Sequence, residues 1–309
     1  MKVLLTGATG QLGQALRAQC PAEVELMACS RSGGQGLLPL DLADAAACRR
    51  MVLEQRPDAV LNAGAYTAVD RAEQEPELAL AVNAGAPAAF AEALGQIDGQ
   101  LLQLSTDFVF NGEQGRPYRP QQATDPLGVY GASKAAGEVA ALRLPRARVL
   151  RTSWVYGPVG HNFCLTMLRL HRERPQIGVV ADQVGCPTAT HTLAAACWRA
   201  LAPANEPAQG EAMPRVLHWS DAGAASWYDF AVAIGELGVE AGLLLQPAQV
   251  QPLTTADYPT PARRPGFSLL DCADTRRALG LEPLHWRSAL RQVLGRIASA
   301  AHPTAATFP

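Results

Sequence analysis

The sequence has few of the features that mark nucleic-acid-binding, secreted or membrane proteins. Charged residues make up only 17% of the chain and the net charge is −2, which argues against nucleic acid or an anionic membrane as the main partner. No basic start is followed by an apolar run and a cleavage site, so no secretory signal is predicted. No unbroken apolar run approaches the roughly 18 residues that suggest a membrane span. We therefore expect a cytoplasmic protein that binds neither nucleic acid nor membrane.

Cysteine patterns typical of redox or zinc sites are also missing. The seven cysteines include no C-x-x-C and no Cys/His pair at zinc-ligand spacing. Their odd number and scattered positions suit a reducing compartment, and we expect them to be small buried hydrophobic residues. The 309 residues, 48% of them hydrophobic, are enough for one large domain or two smaller ones with full cores.

A glycine-rich turn follows the first apolar run. Residues 2–6 predict a strand, the turn 7–13 has the spacing G-x-x-G-x-x-G, and a helical pattern comes next. Glycines in such a turn let the backbone approach a pyrophosphate whose charge lies at the helix N-terminus. The alternative is a glycine-rich turn without a ligand. The cofactor-binding residues predicted in this turn are Gly7, Thr9, Gly10, Gln11, Leu12 and Gly13.

The end of the second predicted strand indicates which dinucleotide binds. NAD sites usually have an acid here for the ribose hydroxyl, whereas NADP sites often have an arginine for the 2′-phosphate. This chain has Ser30 and Arg31 and no acid, so NADPH is favoured, with NADH as a second accepted cofactor. The alternative is that Arg31 is simply solvated.

Apolar runs alternate with helical patterns over the first 155 residues. This alternation predicts a Rossmann-like α/β fold with a doubly wound parallel sheet. We predict an NADP-binding domain over residues 1–155, to which segments near 175–182 and 215–238 return. A smaller, discontinuous α/β substrate-binding domain is predicted over most of 156–309. Within it, 203–214 is predicted to be a surface loop and the tail from 302 to be mobile.

Tyr130 and Lys134 form a Y-x-x-x-K pattern on a helix predicted over 128–142. Residues four apart lie on one face of a helix, so both side chains would point into one cleft. A nearby ammonium lowers the pKa of a phenol, which makes Tyr130 a candidate proton donor. The alternative is a surface pair that happens to have this spacing.

Several candidates lie at predicted strand ends. The carboxyl ends of parallel strands meet at one edge of a sheet, where ligands of doubly wound folds bind. Small residues at this edge suit the close passage of a cofactor. The residues predicted here are the turn 7–13, Asp41, Ala63, Gly64, Ala65, Thr106 and Trp154. We therefore expect one cleft that contains both the cofactor and Tyr130.

Six segments resemble the dTDP-4-dehydrorhamnose reductase family. They are T-G-A-T-G-Q-L-G at 6–13, S-T-D-F-V-F-N-G at 105–112, Y-G-A-S-K at 130–134, R-T-S-W-V-Y-G at 151–157, D-Q-V-G-C-P-T at 182–188 and R-P-G-F-S-L-L-D at 264–271. The resemblance covers nearly the whole chain. It implies an extended short-chain dehydrogenase/reductase that reduces the C4 ketone of dTDP-4-dehydrorhamnose with NADPH, the last step of dTDP-L-rhamnose biosynthesis.

The resemblance also implies roles for residues at the reacting carbon. Tyr130 would protonate the developing C4 alkoxide, and Thr106 would hydrogen-bond the same oxygen. Lys134 would bind the nicotinamide ribose and lower the pKa of Tyr130. Trp154 would flank the sugar nucleotide, while Asp107 would bond a sugar hydroxyl.

Further residues are implied at the two ends of the ligands. Asp41 and Leu42 would lie beside the adenine. Arg263 and Arg264 would meet the diphosphate as bidentate donors, although solvated arginines beside Pro265 are equally compatible with the sequence.

Two departures from family patterns narrow the prediction. Some bacterial members are described as dimers joined through Mg²⁺ by two glutamates, at positions where this chain has Ala15 and His191. Neither residue supplies a hard carboxylate, so we predict no metal, and a monomer or weak homodimer that Mg²⁺ does not bridge. The related 4,6-dehydratases have T-D-E where this chain has Phe108 after Asp107. Phenylalanine carries no proton, which favours ketone reduction over elimination.

Two alternatives remain open from the sequence. The first is another nucleotide-sugar 4-ketoreductase or an epimerase of the same fold. The second is a non-catalytic NADP-binding regulatory subunit, which intact Thr106, Tyr130 and Lys134 disfavour.

Overall fold

The computed structural model describes residues 1–202 and 213–301. Most of the loop predicted over 203–214, and all of the tail predicted from 302, lie outside these residues. The strands, in chain order, are β1 (Lys2–Thr6), β2 (Glu25–Ser30), β3 (Leu38–Pro39), β4 (Ala59–Asn62), β5 (Gln100–Thr106), β6 (Ala147–Thr152), β7 (Val155–Tyr156), β8 (Gln176–Val180), β9 (Val184–Gly185), β10 (Thr188–Ala189), β11 (Val216–His218), β12 (Ala225–Ser226) and β13 (Gln249–Leu253).

The helices connect these strands as the alternation predicts. In chain order they are α1 (Gln11–Ala18), α2 (Ala45–Gln55), α3 (Val69–Ala72), α4 (Pro76–Leu80), α5 (Ala86–Gln96), α6 (Val129–Ala141), α7 (Phe163–Glu173), α8 (Thr190–Leu201), α9 (Trp227–Glu240), α10 (Ala273–Leu279) and α11 (Trp286–Ala301).

Seven of the strands form the central sheet, in the order β11-β6-β5-β4-β1-β2-β3. Every neighbouring pair is parallel. Parallel strands are covered by helices on both faces, which explains the buried runs 3–6 in β1 and 59–62 in β4. The prediction of a Rossmann-like α/β fold is confirmed.

Apolar side chains fill both faces of this sheet. On one face Leu16 of α1 and Leu193 of α8 pack against Leu61. On the other face Val52 of α2 and Phe90 of α5 pack against Val60. The alternation of Val60 and Leu61 between the two cores follows from the period of two along a strand.

The helical region 76–96 is continuous through its two prolines and Asn83. Residues 81–85 form a π turn between α4 and α5, and Asn83 in this turn is buried. By length and composition, the run 76–96 is apolar enough to cross a membrane, and 56% of its 18-residue window is buried inside the protein. Within the fold it packs between α2 and α6 as a core helix.

The second half of the chain builds its own apolar core. Tyr156, Phe230 and Trp286 lie at its centre, between α7, α9 and α11. β11 joins the central sheet beside β6, whereas β8 does not. The segment near 175–182 was expected to return to the central sheet, but β8 pairs with β13 along the whole of both strands. The backbone of β8 is therefore hydrogen-bonded to β13, outside the central sheet.

All seven cysteines are free thiols, and six of them are buried; Cys20 is half-buried. Burial raises the pKa of the Cys29 and Cys164 thiols to about 12. These cysteines therefore behave as the small hydrophobic residues that the sequence predicts.

Candidate active site

The glycine turn packs tightly between β1 and α1. Gly7 adopts a left-handed backbone with φ +66°, which favours glycine. A Cβ at Gly13 would lie 2.1 Å from the carbonyl oxygen of Gly7, so no larger residue fits there. The amide of Gly10 donates to the same oxygen at 3.0 Å, and α1 begins one residue later. The first amides of α1 are thus presented at the carboxyl edge of the sheet, where an anion is stabilised.

The stretch 63–65, which follows β4, packs against the glycine turn. We call the turn 7–13 and the stretch 63–65 together the glycine cradle. A Cβ at Gly7 would lie 2.7 Å from Gly64 Cα, and a Cβ at Gly64 would lie 2.5 Å from the Leu42 side chain. The Gly64 amide donates to Thr6 Oγ1 at 3.0 Å. Gly7, Leu42 and the stretch 63–65 are therefore brought together, as the sequence predicts for the path of a dinucleotide.

Ser30 and Arg31 lie at the end of β2, beside this cradle. Ser30 is buried and its Oγ accepts from the Gly33 amide at 3.0 Å. The Arg31 side chain is 75% exposed, with Nε 3.9 Å from Asp41 Oδ1. An exposed guanidinium so loosely held keeps donors for a 2′-phosphate.

Gln11 links the glycine turn to the segment after β6. Its Nε2 donates to the Val155 carbonyl at 3.0 Å, and Asn162 Nδ2 donates to its Oε1 at 3.1 Å. Thr9 is exposed, while Leu12 is half-buried against the core beneath α1. The glycine turn is therefore hydrogen-bonded, through Gln11, to the segment that follows β6.

Thr106 and Asp107 stand at the end of β5. Thr106 is 7% exposed and its Oγ1 lies 3.0 Å from Asp107 Oδ1 as a donor. Ser268 Oγ donates to the other carboxylate oxygen at 2.6 Å. Burial raises the pKa of Asp107 to about 6, and these hydroxyls oppose that rise. Asp107 is only 1% exposed, and its carboxylate accepts hydrogen bonds from Thr106 and Ser268; its bond to a sugar hydroxyl stays a prediction.

Tyr130 is the second residue of α6 and faces the end of β5. Its ring meets Phe108 edge-on, with centroids 5.6 Å apart. Burial raises the pKa of Tyr130 to about 12, and a hydrogen bond with Thr106 opposes the rise. The expected lowering of this pKa by Lys134 is therefore wrong here, because burial outweighs the other effects. The phenol keeps its proton at neutral pH, which is the form a proton donor needs.

Lys134 lies one turn along α6 and is 4% exposed. Its Nζ donates to the Leu104 carbonyl at 2.6 Å. Burial lowers the pKa of Lys134 to about 8, while the negative charge of Glu138 raises it. The ammonium is thus fixed on β5, two residues before Thr106.

Trp154 has a strained backbone and a fixed ring. Its φ of +47° is rare for a residue with a side chain. The indole stacks on Trp227 with centroids 3.6 Å apart and planes 8° apart. A Cβ at Gly185 would lie 2.8 Å from the same indole. The sequence did not indicate Trp227 as the partner of Trp154, because Trp227 lies 73 residues downstream, at the start of α9.

The sequence also did not predict a series of hydrogen bonds between buried polar side chains. Thr6 Oγ1 donates to Asn62 Oδ1 at 2.5 Å, Asn62 Nδ2 donates to Gln103 Oε1 at 2.7 Å, and Gln103 Nε2 donates to the Leu104 carbonyl at 2.8 Å. The only signal in the sequence is polar residues near the ends of otherwise apolar strands. These bonds fix three strand ends relative to each other.

Asn83 fastens α6 to the loop after β4. Its Nδ2 donates to Ser133 Oγ at 3.0 Å and to the Tyr66 carbonyl at 3.1 Å, and its Oδ1 accepts from the Tyr66 amide. Ser133 Oγ in turn donates to the Tyr130 carbonyl at 2.9 Å. Asn83 is therefore linked through Ser133 to the backbone of Tyr130.

Arg264 has a partner other than the expected diphosphate. Its guanidinium forms a bidentate pair with Asp70 on α3, with distances of 3.0 and 2.7 Å. The Ala262 amide donates to the same carboxylate at 3.1 Å. Arg263 lies beside Tyr130 in a small cavity with Pro265. Both terminal nitrogens of Arg264 donate to the protein in this structure, and the diphosphate role of Arg264 stays a prediction.

Ala15 and His191 line one cavity of about 530 Å³ between α1, α8 and α11. His191 is 9% exposed, and burial lowers its pKa. Among residues 1–202 and 213–301, no group of three or more histidine, cysteine or acidic side chains could hold a metal ion.

Comparison with known proteins identifies similarity along nearly the whole chain. A profile of the family described as RmlD substrate binding domain matches residues 1–299. A dTDP-4-dehydrorhamnose reductase of Streptomyces griseus is 42% identical over 292 residues, which cover 94% of this chain and 91% of that protein. A Streptomyces antibioticus protein named probable dTDP-4,6-dihydroxy-2-methyloxan-3-one 4-ketoreductase is 40% identical over 306 residues, 98% of each.

A solved structure gives the same result. The dTDP-4-dehydrorhamnose reductase of Bacillus anthracis, in complex with NADP, matches with a TM-score of 0.82 and 32% identity. The match covers 94% of this chain and 98% of that one.

Proposed function

Because this chain belongs to the RmlD substrate binding domain family, we propose that it reduces the C4 ketone of dTDP-4-dehydrorhamnose to dTDP-L-rhamnose with NADPH. The relatives named above are reductases of this substrate or of a similar 4-keto sugar nucleotide. The site described above supplies the chemistry that such a reduction needs.

The residues of the cradle fit a dinucleotide. The space that Gly7, Gly13 and Gly64 leave by lacking a Cβ suits a pyrophosphate at the N-terminus of α1. Arg31 is free to meet a 2′-phosphate, and Asp41 and Leu42 border the adenine end. When bound, NADPH supplies the hydride for C4. NADH is a second accepted cofactor in this proposal.

Tyr130 and Thr106 act on the oxygen that gains charge during reduction. Tyr130 Oη gives its proton to the C4 oxygen, and the Thr106 hydroxyl, turned from Asp107 Oδ1 towards the substrate, donates a hydrogen bond to that oxygen. A phenol with its pKa raised by burial is still a far stronger acid than an alcohol, so the transfer is favourable. General-acid help of this kind is worth typically 10²–10⁴-fold, about 3–5 kcal/mol of barrier.

Lys134 and Trp154 orient the two ligands. The Lys134 ammonium, fixed on the Leu104 carbonyl, has two further N–H donors for the nicotinamide ribose. The rigid Trp154 ring flanks the sugar nucleotide, and its stack on Trp227 holds it in one orientation.

The observation that carries the proposal is the meeting of Thr106 and Tyr130 at the end of β5, beside the glycine cradle. Phe108 lies next to Tyr130, at the position where the related 4,6-dehydratases have a glutamate. The phenylalanine ring carries no proton, which supports ketone reduction over elimination. The Streptomyces antibioticus relative favours one alternative, reduction of a different dTDP-4-keto sugar at the same carbon.

The test is turnover of purified protein with dTDP-4-keto sugars made in situ by the upstream enzymes. We expect NADPH oxidation that depends on the sugar, with dTDP-L-rhamnose as the product. A protein that binds NADPH but oxidises none of it with any of these sugars would instead be the non-catalytic regulatory subunit.

We also expect the protein to act in the cytoplasm. We expect a monomer or weak homodimer that Mg²⁺ does not bridge, because Ala15 and His191 offer no carboxylate to the ion. Sedimentation with Mg²⁺ and then with a chelator checks this, and a chelator-reversible dimer would overturn it.

A further inference from the structure

Ser268 lies in the segment 265–271, to which the proposed reaction gives no role. Its side chain is 2% exposed, and its Oγ donates at 2.6 Å to Oδ2 of Asp107, which lies 161 residues earlier in the chain. Asp107 directly follows Thr106, the residue proposed to bind the C4 oxygen. A hydroxyl from the second half of the chain therefore reaches the residue next to Thr106.

The backbone around Ser268 is fixed from two sides. The Ser268 amide donates to the Val184 carbonyl at 2.8 Å, next to a parallel bridge between Val184 and Phe267. On the other side, the Tyr118 amide donates to the Leu269 carbonyl at 2.8 Å. A side chain on backbone held in this way presents its hydroxyl at one place, before any ligand binds.

The Asp107 carboxylate is buried without a cation beside it. It is 1% exposed, and none of the ion pairs among residues 1–202 and 213–301 includes it. Such a carboxylate depends on hydrogen-bond donors for its stability. Its side-chain donors are Thr106, on Oδ1 at 3.0 Å, and Ser268, on Oδ2. Each of these two hydroxyls therefore has a large effect on where the carboxylate lies.

The two carboxylate oxygens differ in the proposed reaction. When the Thr106 hydroxyl turns to the C4 oxygen, Oδ1 of Asp107 loses that donor, whereas Ser268 remains on Oδ2. Ser268 is then the side-chain donor that keeps the orientation of the carboxylate. Oδ1 thus stays beside Thr106, where it holds the threonine hydroxyl before the substrate binds and can accept from a substrate hydroxyl afterwards.

We propose that Ser268 is a positioning residue for the reaction: its hydroxyl holds the Asp107 carboxylate, and through it Thr106, in place at the end of β5. The inference rests on the proposed function, in which Thr106 binds the C4 oxygen. The opposing account is that Ser268 only fastens the segment 265–271 to β5 and has no effect on the reacting groups.

Three variants separate the two accounts. Ser268→Ala removes the hydroxyl and adds no atom, so we expect the protein to fold, which circular dichroism checks. Asp107→Asn keeps the size of the side chain and removes the charge on which Ser268 acts. The matched control is Ser299→Ala, at an exposed serine of α11 whose hydroxyl donates to the Gly295 carbonyl.

We expect Ser268→Ala to lower kcat by roughly 10–100-fold, because a hydrogen bond to a charged group is lost. The Kd for NADPH should change little, and Ser299→Ala should leave kcat unchanged. In the Asp107→Asn background, Ser268→Ala should lower kcat far less, because the two substitutions remove the same effect. Equal losses of kcat in both backgrounds would overturn the inference. A rise in KM with kcat unchanged would also overturn it, since it would show that Ser268 only fastens the segment.

A crystal structure of Ser268→Ala separates this inference from the proposed function. We expect the Asp107 carboxylate to turn, so that Thr106 Oγ1 and Asp107 Oδ1 move beyond hydrogen-bonding distance. If the unmodified protein turns over no sugar, the proposed function fails, and this structure decides the inference. A carboxylate that keeps its place and its hydrogen bond with Thr106 in Ser268→Ala would overturn it.

Discussion

Lys134 and Gln103 donate to the same acceptor, the carbonyl oxygen of Leu104, at 2.6 and 2.8 Å. Gln103 is the last member of the polar chain that begins at Thr6, whose Oγ1 also accepts from the Gly64 amide. The glycine cradle and the ammonium are therefore tied together through three strand ends. A cofactor bound along this edge would contact both the glycine cradle and the Lys134 ammonium, and these hydrogen bonds fix the position of one relative to the other.

Replacement of Tyr130 by phenylalanine should remove the proton donor and leave the cradle intact. We expect kcat to fall by about 10²–10⁴-fold, because general-acid help is lost. NADPH affinity, measured by fluorescence titration, should change little. Tyr258→Phe, at an exposed tyrosine, is the matched control. Retention of most activity by Tyr130→Phe would show that another group donates the proton.

Replacement of Gly13 by alanine should weaken cofactor binding. The new Cβ would meet the Gly7 carbonyl at 2.1 Å, and overpacking of this kind costs typically about 1–3 kcal/mol. We expect the Kd for NADPH to rise by roughly 5–150-fold in calorimetric titration. The control is Gly295→Ala in α11, where a Cβ meets no atom within 4 Å. An unchanged Kd for Gly13→Ala would mean that the dinucleotide binds elsewhere.

The Asp70–Arg264 pair should behave as a structural contact. It is partly exposed, so we expect a coupling energy of about 1 kcal/mol or less between Asp70→Ala and Arg264→Ala in denaturant unfolding. Both single variants should raise the KM for the sugar nucleotide to a similar, modest extent, because each releases the same segment beside Tyr130. A large rise in KM for Arg264→Ala alone would instead support the diphosphate role of Arg264.

His218 should make the protein acid-sensitive. Burial and the charge of Arg151 lower the pKa of His218 to about 3, from about 6.5 in the unfolded chain. The unfolded state therefore binds more protons between these values, and the stabilisation from neutral His218 is complete above pH 6.5 and lost as the pH falls towards 3. The size of the effect is on the order of 3–5 kcal/mol.

The measurement is the free energy of unfolding as a function of pH. His218→Gln, which keeps a donor and an acceptor, should lose stability less steeply than the unmodified protein between pH 6.5 and the acid limit. His161→Gln, at an exposed position, should leave the slope unchanged. Equal slopes for all three proteins would mean that His218 is charged in the folded state.

Local patterns were enough to predict the sheet and the glycine turn. The turn is specified by residues adjacent in the chain, and each strand of the central sheet before residue 155 was visible as an apolar run. Tyr130 and Lys134 were visible because a helix repeats its faces every three to four residues. These features depend on short-range periodicity, which a single sequence contains.

The features that were missed depend on contacts between distant residues. The Arg264–Asp70 pair joins positions 194 residues apart, and the Trp154–Trp227 stack joins two separate halves of the chain. β8 was assigned to the wrong sheet because its apolar pattern does not indicate its partner, β13. The pKa of Tyr130 was predicted in the wrong direction because the spacing to Lys134 contains no information on burial.

The most direct test of the proposed reaction follows the hydride itself. Purified protein is given dTDP-4-dehydrorhamnose and NADPH that carries two deuterium atoms at C4 of the nicotinamide, and the product is examined by NMR and mass spectrometry. The account predicts dTDP-L-rhamnose with one deuterium, at C4 of the sugar. Consumption of the sugar with no deuterium at C4, or deuterium at another carbon, would contradict it.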